Sequence, residues 1–236
     1  MPDKPTLLCA LPSYDGRRCN ASAMVELCGI RNVNVRFMQI QSSLLALGFN
    51  KAWATALDAE ADFFLLLHDD ILPVTDHWPA VLFDELTTHQ ASMLSVVSPI
   101  KTADGLTSTA VETADVWNPR RLSLAEVFQR DETWSEPGLL VNTGLLLVDF
   151  RQDWVKGACF TIKDRITLRG GKRVAEAQPE DWDLSRQARA AGASIFATRK
   201  VVVQHIGHAS YDTGSAWGTQ ATDERYLEEM RAPTNA

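Results

Sequence analysis

Short apolar runs recur along this chain between stretches whose apolar residues repeat at helical spacing. Runs rich in Val, Leu, Ile and Phe, bounded by turn residues and too short to be helices, read as buried strands. They fall at residues 6–11, 33–39, 62–68, 93–100, 139–148, 194–198 and 200–205. Helical patterns lie between them, at about 21–28, 49–59 and 78–89, and a further helix opens at Pro179 and ends at Gly192. Within the second of these, Trp53, Ala56 and Leu57 share one face, as a helix packed on a sheet requires. Alternation of strand and helix predicts an α/β fold: a mainly parallel central sheet with helices on both faces. The polar, Gly-, Thr- and Asp-rich stretch 101–121 breaks the alternation and reads as loops with short strands.

A chain of 236 residues that is 45% hydrophobic suffices for one substantial core, so one domain is expected, its core spanning about 6–211. The remainder, 212–236, is a polar tail with a short amphipathic helix around 223–230. A net charge of -7 argues against a nucleic-acid surface, which calls for clustered Lys and Arg. Cys9, Cys19, Cys28 and Cys159 form no CxxC pair, so disulfides are not expected. The apolar stretch at 7–11 is too short for a secretory signal, and 63–67 and 139–148 fall short of the about 20 residues a membrane span needs. No membrane span is expected, and cytoplasmic localisation follows as the default.

The candidate chemistry sits at strand ends. In ADFFLLLHDDILP, five apolar residues run into His68, Asp69 and Asp70. Open α/β sheets bind ligands in the crevice outside the carboxyl ends of their strands. Two adjacent carboxylates there suit a hard divalent cation, Mn2+ or Mg2+, that also holds a diphosphate; the alternative is an ordinary strand exit with solvated or helix-capping aspartates. In QPEDWDLSRQARAAG, Glu180 and Asp181 fall in a first helical turn, where they either complement the helix dipole or supply a general base. In KVVVQHIGHASYD, a β-branched strand runs into His205, which is either structural or a metal ligand.

These pieces, in this order, resemble the GT-A glycosyltransferases, especially their family-2-like inverting branch, over roughly residues 6–211. The resemblance implies a nucleotide-diphospho-sugar transferase fold. His68-Asp69-Asp70 resembles a variant of the family's DxD motif, which makes Asp70 the metal ligand and sets His68 and Asp69 beside ribose or phosphate. Pro179-Glu180-Asp181 resembles the acceptor-side Glu-Asp motif, with Asp181 as catalytic base and Glu180 its neighbour. His205 resembles the family's additional metal ligand better than His208 does. Asn142-Thr143-Gly144 resembles the turn beside donor sugar and acceptor. Pro12, Ser13, Tyr14 and Asp15 follow the first strand as the nucleobase-binding loop does, and Asn50 stands where many members carry Arg-Asn. The full DxD is absent, His68 replacing its first Asp, and Phe49 stands in the Arg position.

What the resemblance implies is a metal-dependent enzyme moving a sugar from a nucleotide-sugar donor, UDP- or GDP-sugar foremost, to a sugar, glycan or other hydroxyl acceptor, with inversion. Trp217 reads as either a donor-covering loop or a surface turn, and Trp117, Asn118 and Trp134 as either acceptor contacts or packing. A nucleotidyltransferase would need a Gly-rich phosphate loop where this chain has PSYDGRR. A binding module that kept the fold without turnover is the alternative from another class.

Overall fold

The computed structural model describes residues 4–13, 21–207 and 210–218. Tyr14, Asp15, His208 and the helix expected at 223–230 lie outside the described residues. In chain order the elements are β1 (Thr6–Ser13), α1 (Ala21–Cys28), β2 (Asn34–Gln41), α2 (Leu45–Asp58), β3 (Phe63–Leu67), β4 (Ile71–Pro73), α3 (Trp78–Thr88) and β5 (Met93–Val96). There follow β6 (Leu106–Val111), β7 (Arg120–Ser123), α4 (Leu124–Phe128), β8 (Thr133–Trp134), β9 (Leu139–Leu140), β10 (Leu145–Asp149) and a 3-10 turn at Asp153–Lys156. The chain continues through β11 (Lys163–Arg169), β12 (Lys172–Gln178), α5 (Glu180–Ala190), β13 (Ile195–Thr198), β14 (Val203–Ile206) and β15 (Ser210–Asp212).

The central sheet has seven strands in the order β2-β1-β3-β10-β5-β13-β8. Strands β2, β1, β3, β5 and β13 run one way, and β10 and β8 run against them. The period-2 geometry of a strand sends successive side chains to opposite faces, and both faces here are apolar. Leu8, Ala10, Phe64, Leu66, Leu146 and Val148 join α2 and α5 in one core; Leu7, Cys9, Phe63, Leu65, Leu145 and Leu147 join α1 and α3 in the other. This double burial is why the strands read as continuous apolar runs rather than as alternating ones. Trp53 and Ala56 are buried on α2 as the spacing predicts. Cys9, Cys28 and Cys159 form no disulfide, and no helix among the described residues is long and apolar enough to cross a membrane.

Two expectations are corrected. The run 139–148 is two strands, β9 and β10, because the Asn142 side chain bonds Val96 O and the Gly144 amide and turns the chain between them. β10 is antiparallel to both neighbours. The segment 200–205 does not extend the central sheet: β14 leaves it for a three-stranded sheet with β4 and β15. In addition, β11 and β12 form a hairpin the sequence pattern did not announce, turning at Gly170 and Gly171, whose φ values of 54° and 80° are in the left-handed region that glycine tolerates.

Trp53 is the hub of the α2 face. Its indole N–H donates to Val155 O at 2.9 Å, and its ring packs edge-on against Phe64, Phe150 and Phe160. Trp53→Ala is expected to lower unfolding stability by about 3–5 kcal/mol, measured by urea denaturation. A loss under about 1 kcal/mol would contradict this account of the core.

Candidate functional site

β3 ends where the apolar run ends. The His68 amide donates to Gly144 O at 2.9 Å, the Asp69 amide to Pro12 O at 3.3 Å, and the Ile71 amide to His68 O at 3.2 Å, so the chain turns out of the sheet between β1 and β10. It continues as β4, which pairs antiparallel with β14 so that His205 lies opposite Ile71, and the Ile206 amide donates to Asp70 O at 2.7 Å. The small sheet thereby carries His205 to Asp70: its Nε2 is 3.4 Å from Asp70 Oδ2. His205 Nδ1 lies 2.7 Å from Pro99 O. A carbonyl only accepts, so Nδ1 carries a proton and Nε2 is the nitrogen presented to Asp70.

A third group completes this cluster. Lys101 Nζ is 2.5 Å from the same Asp70 Oδ2, while Asp70 Oδ1 is buried and has no hydrogen-bond partner among the described residues. Burial pushes the Asp70 carboxyl up, but His205 and Lys101 at its Oδ2, with the neighbouring charges, outweigh it and hold the group well below the usual carboxylate range. At His68 burial prevails: it pushes the imidazole down to about 4, so the ring is neutral at neutral pH, packed 5.3 Å from the Phe49 ring.

Asn142, Thr143 and Gly144 lie between β9 and β10, all three buried. Ser95 Oγ donates to Asn142 O at 2.7 Å. A Cβ at Gly144 would come within 3.1 Å of Asn142 Oδ1 and 3.2 Å of Ile71, so glycine allows the close approach of this turn to the start of β4.

α5 brings in the remaining carboxylates. Pro179 caps its N-terminus without a side-chain hydrogen bond, and Glu180, Asp181 and Asp183 stand in the first turn. Trp182 fixes that turn to β6, its indole N–H donating to Ser108 O at 3.1 Å. Asp183 is engaged by Thr161, Lys163 and Gln187. Among the described residues no cation is hydrogen-bonded to Asp181: its Oδ1 accepts the Trp182 amide at 2.7 Å. Burial, and then the Glu180 charge beside it, push its carboxyl up to about 7, with only partial relief from the Trp182 amide and Arg121. Glu180 is also raised, by burial.

Two cavities meet here. The larger, about 340 Å³, is lined by Pro12, Ser13, Ile40, Ser42, Ser43, Leu45, Gly48, His68, Asp69 and Asp70. The smaller, about 130 Å³, is lined by His68, Ile71, Ser98, Ser108, Asn142, Thr143, Gly144, Glu180, Asp181 and His205. His68 belongs to both. Sequence reasoning named the strand-end residues but missed Lys101, the serines at 42, 43, 98 and 108, and the apolar wall of Ile40 and Leu45. For Lys101 the available signal was its place directly after an apolar run.

Other candidates lie elsewhere. Asn50 is turned to Phe160, its amide donating to Phe160 O at 2.8 Å and its Oδ1 accepting the Phe160 N–H at 2.7 Å. Trp134 is buried in the core. Trp117 lies under the Arg165 guanidinium, 4.2 Å from its ring centroid, and Asn118 bonds Asp115 at 2.5 Å. Trp217 packs against the Gly105 turn and near Tyr211, its ring N–H donating to Asp212 O at 2.6 Å. Among the described residues, no group of three or more His, Cys, Asp or Glu side chains is gathered to hold a metal ion; Asp70 and His205 are a pair.

No family model matches the sequence, and no curated protein matches it. Among solved structures, A197 from STIV is similar over 86% of this chain and 86% of its own, with a TM-score of 0.53 at 12% identity. This likeness establishes a shared fold. S. aureus TarS matches over 83% of this chain and 58% of its own, at 11% identity and a TM-score of 0.41. UDP-glucose pyrophosphorylase matches over 96% and 82%, at 9% identity and a TM-score of 0.37. The class the fold and site define is a mixed α/β protein with a mostly parallel seven-stranded sheet and a cleft lined by carboxylates and histidines at its strand ends.

Asp181 makes a stability prediction. Its folded pKa of about 7 lies above the ordinary 3.8, so the folded state holds the proton more tightly, and stability falls as pH rises between these values. Asp181→Asn removes that penalty. Its melting temperature is expected to exceed the wild type's above about pH 7 and to match it near pH 4, the gap reflecting up to a few kcal/mol. Equal melting temperatures at pH 8 would contradict the raised pKa.

Proposed function

We propose that this protein is a GT-A-like glycosyltransferase that moves a sugar from a nucleotide-sugar donor to an acceptor hydroxyl with inversion. The observation that carries the reading is that Asp181 and His205 line the same small cavity, which His68 joins to the larger one beside Asp70. In this reading the nucleoside occupies the larger cavity, between the apolar Ile40 and Leu45 and the hydroxyls of Ser13, Ser42 and Ser43, and the sugar faces Asn142, Thr143 and Gly144 in the smaller. Asp181 removes the acceptor proton as the hydroxyl attacks the anomeric carbon from the side opposite the departing diphosphate. A carboxyl with a pKa of about 7 suits that task, because a base is most effective when its pKa is near the working pH.

Asp70 and His205 fit Mn2+ or Mg2+ as one oxygen and one nitrogen ligand. Asp70 Oδ1, buried and without a partner among the described residues, is an atom such an ion would satisfy, and the Pro99 carbonyl orients the imidazole as outer-shell partners of metal-bound histidines do. When bound, the ion supplies positive charge against the departing diphosphate.

The reading is tested with a panel of UDP-, GDP-, CMP- and TDP-sugars, each with Mn2+ and with excess chelator, scoring thermal shift and the nucleotide released. Stabilisation by one donor class with release of its nucleoside phosphate supports transfer of the sugar. Release of pyrophosphate when a nucleoside triphosphate and a sugar 1-phosphate replace the donor would make the protein a nucleotidyltransferase instead, and no shift with any donor would sink the proposal. Transfer should rise with pH through about 7 as Asp181 ionises. Asp181→Asn should lose about 10²- to 10⁴-fold in kcat while its donor affinity stays within about twofold of wild type.

A further inference from the structure

Residues 99–101 are clamped against the candidate site. Pro99 O accepts the hydrogen bond of His205 Nδ1, 2.7 Å away, and the Ile100 amide donates to Leu106 O at 2.9 Å. The Lys101 stem then passes over Gly207, where a Cβ would come within 2.9 Å of Lys101 Cδ. Its ammonium ends on Asp70 Oδ2, the oxygen that His205 Nε2 faces. Asp70 stands at the seam of the two cavities: it lines the larger, and its neighbour His68 and partner His205 line the smaller. A diphosphate linking a nucleoside in one to a sugar in the other crosses this seam. The walls carry Asp69, Asp70, Glu180 and Asp181, so an anion entering between them needs a cation there. Lys101 supplies one whose side chain, 36% exposed, keeps the freedom to move.

We propose that Lys101 is the diphosphate-binding cation of this site, held on Asp70 in the resting state and passing its hydrogen bond to the donor diphosphate, so that a nucleoside diphosphate binds without a divalent ion. This rests on the glycosyl-transfer reading above. It adds that the ammonium and a divalent ion address the same carboxylate and therefore compete for it. Removing the lysine should then weaken nucleotide binding in chelator and tighten binding of the metal alone.

The experiment is calorimetric titration of UDP, GDP, CDP and TDP in EDTA and in Mn2+, with Mn2+ alone followed by electron paramagnetic resonance. It uses wild type, Lys101→Met and Lys101→Arg, each checked for fold by circular dichroism. Wild type is expected to bind one nucleotide in EDTA, Lys101→Met to bind it about tenfold or more weakly, and Lys101→Arg to retain most of the affinity. Lys101→Met should also bind Mn2+ alone more tightly than wild type. If Lys101→Met matches wild type in EDTA, or if wild type binds nucleotide only with Mn2+, this inference is overturned and the donor site stands. If wild type binds no nucleotide under either condition, the glycosyl-transfer reading itself falls and Lys101 with it.

Discussion

The hydrogen bond from the Ile206 amide to Asp70 O, with the β4–β14 pairing around it, ties together two parts of the chain that have nothing local in common. On one side is the turn in which β3 gives up its place in the sheet; on the other is a strand that could as well have continued that sheet. Antiparallel register fixes which side chains face one another. Because His205 pairs with Ile71, its ring falls beside Asp70, and a register slipped by one residue would send it to the other face of the small sheet. The Pro99 carbonyl then sets the ring's orientation, and the same segment delivers Lys101.

That arrangement gives the site two aspartates with opposite tendencies. Asp70 sits with an ammonium and an imidazole on one oxygen, which outweigh the cost of its burial. Asp181 is desolvated beside another carboxylate, so its proton is retained to about 7. Environments that push the pKa values of paired groups apart divide labour between a group that stays charged and a group that exchanges protons. Asp70 is suited to hold a cation and Asp181 to carry a proton, a division that follows from their neighbours rather than from any difference in chemistry between two aspartates.

How much of this was readable in the sequence follows from what each signal depends on. β3 and the carboxylates after it were legible because burial on both faces demands an unbroken apolar run, and the run stops at His68. The start of α5 was legible because Pro179 and the first-turn acids are local signals. The partner of β14 was not: VVVQHI satisfies the requirements of either sheet, and the choice is made by β4, a three-residue strand with no periodicity to detect. Lys101 escaped for the same reason, since its ion pair spans 31 positions and its local context is a polar loop. Asn50 was assigned by position alone, and its amide is spent on the Phe160 backbone 110 residues away.

The first turn of α5 is where packing and chemistry are most closely joined. Four successive residues are divided between them: Trp182 bonds and packs on β6, Asp183 collects Thr161, Lys163 and Gln187, and Glu180 and Asp181 face the cavity. One turn further, Arg186 grips Glu112 with two hydrogen bonds, at 2.6 and 3.2 Å, and reaches Val116 O at 2.9 Å. A carboxylate inside a protein with no cation hydrogen-bonded to it is destabilising and tends to relax toward water or toward a lysine. It stays poised only if its backbone cannot move. The Trp182 and Asp183 contacts remove that freedom, so the turn can hold Asp181 in an unfavourable environment whose compensation comes from its neighbours and not from itself.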